Sequence, residues 1–373
     1  MKDQPVLFET HSVNGNGKKL AIATLNAEKT LNSLSIEMVD MLYQQLLDWQ
    51  NDENIVAVFL QAAGEKAFCA GGDVQKLRQS SVDNPGGPCE YAESFFEREY
   101  RLDYLIHEYE KPFICWGHGI VMGGGLGLMV GSKHRIVTER TRMAMPEITI
   151  ALYPDVGGSY FLNHAPGRTG LYLALTAASM NAADCLYVDY ADHFITHDQK
   201  QRVIEQLLQL PWSGNPVMDS DAIELVLNNL ASGCESDLPE GNIEPHFDII
   251  QTLTDYASLS EVVTAITTYE TDDKWLQKGA AALAHGSPLS ASNIYQALDL
   301  TKEMSLADVF RFELMLSTNV VRHPEFAEGV RALLIDKDQQ PQWQFNSVEA
   351  VPADLLAAMV TPPWQTNPLS DLQ

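Results

Sequence analysis

Ala67-Phe-Cys-Ala-Gly-Gly-Asp73 stands between an apolar run, Ile55 to Leu60, and a stretch from Val74 to Ser80 that can continue as a helix. The run reads as a buried strand, so the two glycines fall at a strand-to-helix turn. Glycine lets the backbone approach a bound group with its N–H donors free. The acid behind them suits a helix start. Such a turn can hold an oxyanion. About fifty residues later the chain repeats it in His118-Gly-Ile-Val-Met-Gly-Gly-Gly-Leu-Gly127, again after an apolar strand and before an apolar helix.

The surrounding pattern is of alternating elements. Leu20–Leu25 reads as a strand. Ser35 can cap a helix with Glu37 in its first turn, and Met38, Met41, Leu42, Leu46 and Trp49 then recur at helical spacing. A helix is expected over about Glu90–Tyr109, strands over Pro112–Trp116 and Arg135–Thr138, and a helix over Leu126–Val130. Strands alternating with helices imply parallel pairing and an α/β class. From about residue 200 the pattern turns mostly helical, which divides the chain into regions 1–200 and 201–373. Ala231 to Phe247 reads as a loop, and the proline-rich tail after Pro352 as irregular.

Composition excludes several classes of partner. The 24 basic and 50 acidic residues give a formal charge of −26. Nucleic acid needs a basic face, and an anionic membrane surface attracts one. An anionic ligand must therefore bind through local donors. Pro112 to Ser132 carries no charged side chain and is long enough to span a bilayer, but seven of its 21 residues are glycine and His118 lies inside. A buried strand followed by a buried helix accounts for it. Five cysteines without a CxxC pair suggest free thiols in a reducing compartment, and Met1-Lys-Asp-Gln-Pro5 has no apolar signal region. The expectation is a soluble cytoplasmic protein.

A third cluster combines Met145-Pro-Glu147 with Asp155 in Pro154-Asp-Val-Gly-Gly158. Two carboxyls near apolar neighbours can divide acid and base roles when their environments separate their pKa values. The plainer alternative is a helix-start acid and a turn aspartate. The second glycine run has two alternatives, close helix packing or a loose dinucleotide loop. In the latter, Gly125-x-Gly-x-x-x-Gly131 would hold the phosphates and Glu139 the ribose. Cys69 reads as a small packing residue, no G-x-S-x-G elbow exists, and the histidines form no HxxxH or H-x-E zinc pattern.

Taken in order, these pieces resemble the crotonase (enoyl-CoA hydratase/isomerase) superfamily. The matching stretches are Leu25-Asn26, Leu31-Asn-Ser-Leu34, Ala67–Asp73, Gly117–Gly125, Met145-Pro-Glu147 and Pro154-x-x-Gly-Gly158. The resemblance implies a ββα spiral core with a mostly helical C-terminal region, and an acyl-CoA ligand. It implies that the N–H groups of Gly72 and Gly124 hold the thioester oxygen. No cofactor is implied beyond the CoA of the substrate, and no metal; a homo-oligomer is left open.

Departures narrow the choice. Hydratases of this superfamily carry two glutamates, and this chain has Gly127 where the first falls; only the second matches, at Glu147. Asp155 stands where hydratases have glycine. Phe95-Phe-Glu-Arg-Glu-Tyr100, Ser287-Pro288, Glu328-Gly-Val-Arg-Ala-Leu-Leu-Ile-Asp-Lys-Asp338 and Pro341-x-Trp343 are similar to the branch that hydrolyses 3-hydroxyisobutyryl-CoA in valine degradation. The resemblance thus implies thioester hydrolysis of a short 3-hydroxyacyl-CoA, with Glu147 as nucleophile or general base. Asp155 and Glu99 would bind the substrate hydroxyl or orient water. Lys29, Lys66 and Lys76 are near the motifs and available for the CoA phosphates.

Overall fold

The computed structural model describes residues 4–13 and 17–373. They form two compact units that interleave along the chain. The first holds the described residues up to Gly72, then Leu102–Met143 and Met180–Glu244; the second holds Asp73–Arg101, Ala144–Ser179 and Pro245–Gln373. Neither unit coincides with the regions 1–200 and 201–373.

The first unit carries the strands. They are β1 (Val6–Ser12), β2 (Lys19–Leu25), β3 (Ile55–Ala62), β4 (Ala67–Cys69), β5 (Phe113–Gly117), β6 (Ile120–Met122), β7 (His134–Val137), β8 (Arg142–Ala144) and β9 (His193–Phe194). One sheet runs β1-β2-β3-β5-β7-β9 and a second runs β4-β6-β8. Only the β1–β2 pair of the larger sheet is antiparallel; β2 to β9 pair in parallel. Three times in succession the chain lays one strand in the large sheet and the next in the small one, and a helix or helical turn follows. This is the ββα spiral, and the α/β class, expected from the sequence.

Burial follows the hydrophobic pattern. Parallel strands covered on both faces read as continuous apolar runs, and β3 and β5 are buried almost throughout. Ser35 caps the helix Ile36–Asn51, accepting from the Met38 N–H at 3.2 Å, and that helix buries Met38, Val39, Leu42, Leu46 and Trp49. Met41 is only half-buried. The charge-free stretch after Pro112 resolves into β5, β6 and the buried helix Gly124–Val130. Among the described residues no helix is long and apolar enough to cross a membrane.

The second unit is helical, and its C-terminal segments form a socket. A 3-10 turn, Glu147–Ile150, is the object packed upon. A Cβ on Gly286 would meet Ile148 Cγ1 at 2.7 Å, and one on Gly329 would meet the Ile150 backbone at 2.6 Å. The Ser287 N–H donates to the Ile148 oxygen at 3.2 Å. Ser287 also caps the helix Pro288–Thr301 and donates its hydroxyl to Glu325 at 2.5 Å. Arg331 gathers Glu328, Asp336 and Asp338 at 2.6 to 2.8 Å, and the Trp343 indole N–H donates to the His285 oxygen at 2.9 Å. The C-terminal stretches singled out in the sequence therefore brace one short turn.

One expectation fails. The tail is not irregular throughout, because Ala353–Met359 is a helix. The Asn319 amide donates to the oxygens of Met359 (2.8 Å) and Thr361 (2.9 Å), so a distant side chain supplies the C-terminal cap that the local sequence lacks.

Gly329→Ala tests the socket. The added methyl meets backbone rather than a yielding side chain, so urea unfolding should lose about 1–3 kcal/mol. An unchanged midpoint would mean the turn is not packed as described.

Candidate functional site

The two glycine loops lie against each other in the first unit. Gly71 has φ +97°, and a Cβ there would meet the Met122 oxygen at 3.2 Å and the Gly124 nitrogen at 3.7 Å. A Cβ on Gly125 would sit 2.4 Å from the Cys69 oxygen. The glycines thus serve close backbone approach. Leu34 bridges to Gly72, and its N–H donates to the Gly71 oxygen at 2.8 Å, which pins the first turn. Gly124 opens a helix, where the first N–H groups have no partner within the helix. Cys69 is buried beneath the turn, with the Gly71 N–H 3.4 Å from its sulfur, in the packing role expected.

The dinucleotide alternative does not survive. Gly125 and Gly127 lie inside the helix, not in a phosphate loop. Glu139 is engaged by the His197 N–H at 2.8 Å and by Arg140 at 3.3 Å.

The second unit gathers the acids. Glu99 is 2% exposed, Glu147 5%, Asp155 4% and Glu313 0%. Burial pushes the Glu147 carboxyl well above the usual range, and the charge of Asp155 pushes it further. Glu99 rises for the same reasons, with Asp155 and then Glu147 as its charged neighbours. One oxygen of each, Glu147 Oε2 and Glu99 Oε1, is buried without a hydrogen-bond partner among the described residues. Such atoms are costly unless a ligand satisfies them. Burial lifts Asp155 less, to about 6, because the Tyr100 hydroxyl bonds to its carboxylate.

Asp155 is held by a strained, clamped turn. Val156 has φ +55°, unfavourable for a β-branched residue, and Gly157 has φ +84°. Glu313 fixes the turn by accepting the Gly157 N–H at 2.7 Å and the Ser159 N–H at 2.8 Å. Burial lifts the Glu313 carboxyl to about 8 against the pull of those two donors.

From Asp155 a chain of hydroxyls leads away. Tyr100 contacts Asp155 Oδ2 at 2.6 Å and Ser317 at 2.6 Å; Ser317 contacts Tyr153 at 2.9 Å; Tyr153 donates to the Glu313 backbone oxygen at 2.8 Å. A carbonyl only accepts, so the last link uses the Tyr153 proton. Ser317 must then supply the Ser317–Tyr153 link and Tyr100 the Tyr100–Ser317 link. Three hydroxyl protons cannot fill four contacts. The fourth comes from Asp155 when it is protonated. When Asp155 is ionised, Tyr100 donates to it, Ser317 donates to Tyr100, and the Ser317–Tyr153 contact is left empty. The chain accommodates either state by reversing two hydroxyls, at a difference of about one hydrogen bond.

Of the residues singled out from the sequence, Gly72 follows Gly71, whose backbone lies against Gly124 in the first unit, and Glu99, Glu147 and Asp155 are charged neighbours in the second. Gly127 is buried inside its helix and offers no acid. Lys76 pairs with Asp73 at 3.4 Å. Tyr100, Tyr153, Glu313 and Ser317 escaped the sequence reading. A signal existed for two of them: Glu313 and Ser317 stand one turn apart on the apolar face of the helix Leu306–Arg322, where a charge calls for an explanation.

The chain belongs to the enoyl-CoA hydratase/isomerase family, whose pattern it matches over residues 20–360. Within that family it is 35% identical to the mitochondrial 3-hydroxyisobutyryl-CoA hydrolase of Danio rerio, covering 89% of this chain and 85% of that one. It is 33% identical to the human protein of the same name, covering 94% and 85%. Among solved structures, a carnitinyl-CoA dehydratase from Mycobacterium thermoresistibile superposes with TM-score 0.84 at 30% identity, covering 98% of this chain and 99% of that one. An enoyl-CoA hydratase from Rhodobacter sphaeroides superposes with TM-score 0.81 at 29% identity, covering 96% and 98%. The curated relatives are named as mitochondrial, so they lend no support to the cytoplasmic location expected from the sequence.

The raised Asp155 pKa has a consequence for stability. A carboxyl raised from 3.8 to about 6 in the folded state contributes stability that is present below pH 4 and lost as pH climbs through 6. Asp155→Asn removes that dependence. Its unfolding free energy relative to wild type should shift in its favour by about 3 kcal/mol between pH 3 and pH 8. Parallel curves at both pH values would refute the shift.

Proposed function

We propose that this protein hydrolyses the thioester of 3-hydroxyisobutyryl-CoA, or of a similar short 3-hydroxyacyl-CoA, releasing the hydroxy acid and CoA. The observation that carries the reading is the presence of Glu147 and Asp155 as buried acids in a chain with Gly127 where a hydratase keeps its other glutamate. The near-full-length likeness to curated proteins named as hydrolases supports it.

The roles follow from the chemistry of each group. The N–H groups of Gly72 and Gly124 hold the thioester oxygen as it gains charge; removing one such donor typically costs about 3 kcal/mol of barrier. Glu147 acts on the carbonyl carbon, either by direct attack or by drawing a proton from water. Its burial makes the carboxylate poorly solvated and hence reactive once ionised. Protonation of Asp155 favours that ionisation, because it removes the second cause of the raised Glu147 pKa. Asp155, the less raised of the two acids, accepts the Tyr100 hydroxyl proton on one oxygen and faces the substrate hydroxyl or water with the other. Glu99 binds the hydroxyl end, where its unpartnered Oε1 gains a donor. A site that buries acids for a substrate hydroxyl discriminates against analogues without one, which leave those acids unpaired.

A second reading, hydration of an enoyl-CoA, is favoured by the names of the two structural relatives. Hydration needs two carboxyls to deliver water across the double bond, and Gly127 removes one from its place.

Free CoA release should be measured over 3-hydroxyisobutyryl-, 3-hydroxypropionyl-, isobutyryl- and crotonyl-CoA. Release from the hydroxy substrates alone is expected; loss of the crotonyl absorbance without CoA release would instead establish a hydratase. Glu147→Gln should lower turnover about 10²–10⁴-fold with CoA affinity kept. Single turnover in ¹⁸O-water distinguishes the two roles of Glu147. Label in the Glu147 side chain requires direct attack and an anhydride opened at the glutamyl carbonyl, and an anhydride trapped by hydroxylamine on Glu147 reports the same intermediate when water opens it at the acyl carbonyl; neither signal is expected if Glu147 only activates water.

A further inference from the structure

The first unit contains a cluster that the reaction does not use. His134 begins β7 and His193 begins β9, the adjacent edge strand, in a register where Ile136 faces His193. Both histidines therefore project from one face of the sheet. Their rings stack 6.5 Å apart at 26°. Glu224, on the helix Pro216–Ala231, reaches over both. Its Oε2 lies 3.4 Å from His134 Nδ1 and 3.2 Å from His193 Nε2. One ligand atom from each of the three residues lies within 4.8 Å of the others.

We propose that His134, His193 and Glu224 bind a divalent transition-metal ion, zinc foremost, at the edge of the large sheet. The spacing fits an ion better than a salt bridge. A charge-assisted N–H···O⁻ bond is about 2.7–2.9 Å long. A tetrahedron with metal–ligand bonds of about 2.0–2.1 Å has edges of about 3.3–3.4 Å, close to the two carboxylate–imidazole separations, and the three ligand atoms together lie within 4.8 Å. Two imidazoles and one carboxylate are the protein ligands of an open zinc site, the fourth position going to water. The ligands are oriented from behind by the same helix. His134 Nε2 bonds Ser220 Oγ at 2.8 Å, which leaves Nδ1 to face the ion, and the Asn228 amide donates to the other carboxylate oxygen of Glu224 at 3.0 Å. Ser220, Glu224 and Asn228 follow at successive turns, so one helix face carries the third ligand and two of its supports.

Glu224 is 48% exposed at its side chain, which gives the ion a route from solvent. The nitrogen donors select against magnesium and calcium. The ion would tie β7 and β9 to the helix covering them, a structural staple apart from the acids of the other unit.

The full-length chain, stripped with chelator, should be titrated calorimetrically with Zn²⁺ and followed with Co²⁺ by visible absorption. One ion per chain is expected, with Kd below about 10 µM and the intense bands of four-coordinate Co²⁺. Glu224→Gln, at an exposed position that should not disturb folding, and His193→Gln should each weaken binding at least about tenfold. Acyl-CoA turnover serves as the fold control for both. Lack of saturable uptake, or equal uptake by wild type and both variants, would overturn the site. Mg²⁺ competing as well as Zn²⁺ would overturn it too.

Discussion

Burying several carboxyls in one unit is the constraint on which the rest of the second unit depends. Glu99, Glu147, Asp155 and Glu313 are all withdrawn from water, and each charge opposes the ionisation of the next. No basic side chain pairs with Glu147 or Asp155 among the described residues; the compensation comes from hydroxyls and backbone N–H groups. Dipoles of that kind stabilise a charge less than a cation would, so the acids stay poised between states. A lysine there would fix Asp155 as a carboxylate. Tyr100 allows it to be either.

The same constraint explains why the C-terminal half is tied to the site. A buried acid without a partner must be held by its backbone, since its side chain has nothing to grip. The Glu147 turn is gripped instead by Gly286, Ser287 and Gly329, two of them glycines because a Cβ would strike the Ile148 side chain at the first and the Ile150 backbone at the second. The Asp155 turn is gripped by Glu313, whose two carboxyl oxygens accept two backbone N–H groups and so support the strained Val156. Strain of this kind persists only where the surroundings over-determine it.

What could be read from the sequence was what is local in it. The Gly71-Gly72 turn, the Gly123–Gly125 helix start, Glu147 in its short turn and Asp155 after Pro154 each depend on neighbours a few residues away. The α/β class was legible because buried parallel strands announce themselves as apolar runs, whereas the spiral was implied only by the family resemblance. The hydroxyl chain joins Tyr100, Tyr153, Asp155 and Ser317 from three separate stretches, and no spacing rule connects them. The tail helix was missed for a similar reason, since its cap is Asn319 on another helix. His134 and His193 are likewise far apart in sequence, brought together by strand register alone, so a search for closely spaced zinc ligands could not find them.

Gly127 sharpens the choice of reaction. An enzyme adding water across a double bond needs two carboxyls whose proton states alternate in step. Here the place of one is a glycine buried in the helix Gly124–Val130. The remaining acids are divided differently: Asp155 is joined to a proton reservoir of hydroxyls, while Glu147 and Glu99 each leave an oxygen unsatisfied. Protonating Asp155 completes the hydroxyl chain and eases the repulsion on Glu147 in a single step. Because Asp155 is lifted only to about 6 and Glu147 well above its usual range, Asp155 carries the charge first near neutral pH, and Glu147 ionises more readily whenever that repulsion is relieved. That division suits acyl transfer to water, where one carboxylate attacks or activates and the leaving thiolate must afterwards be protonated. At the position of Gly127 it supplies no acid.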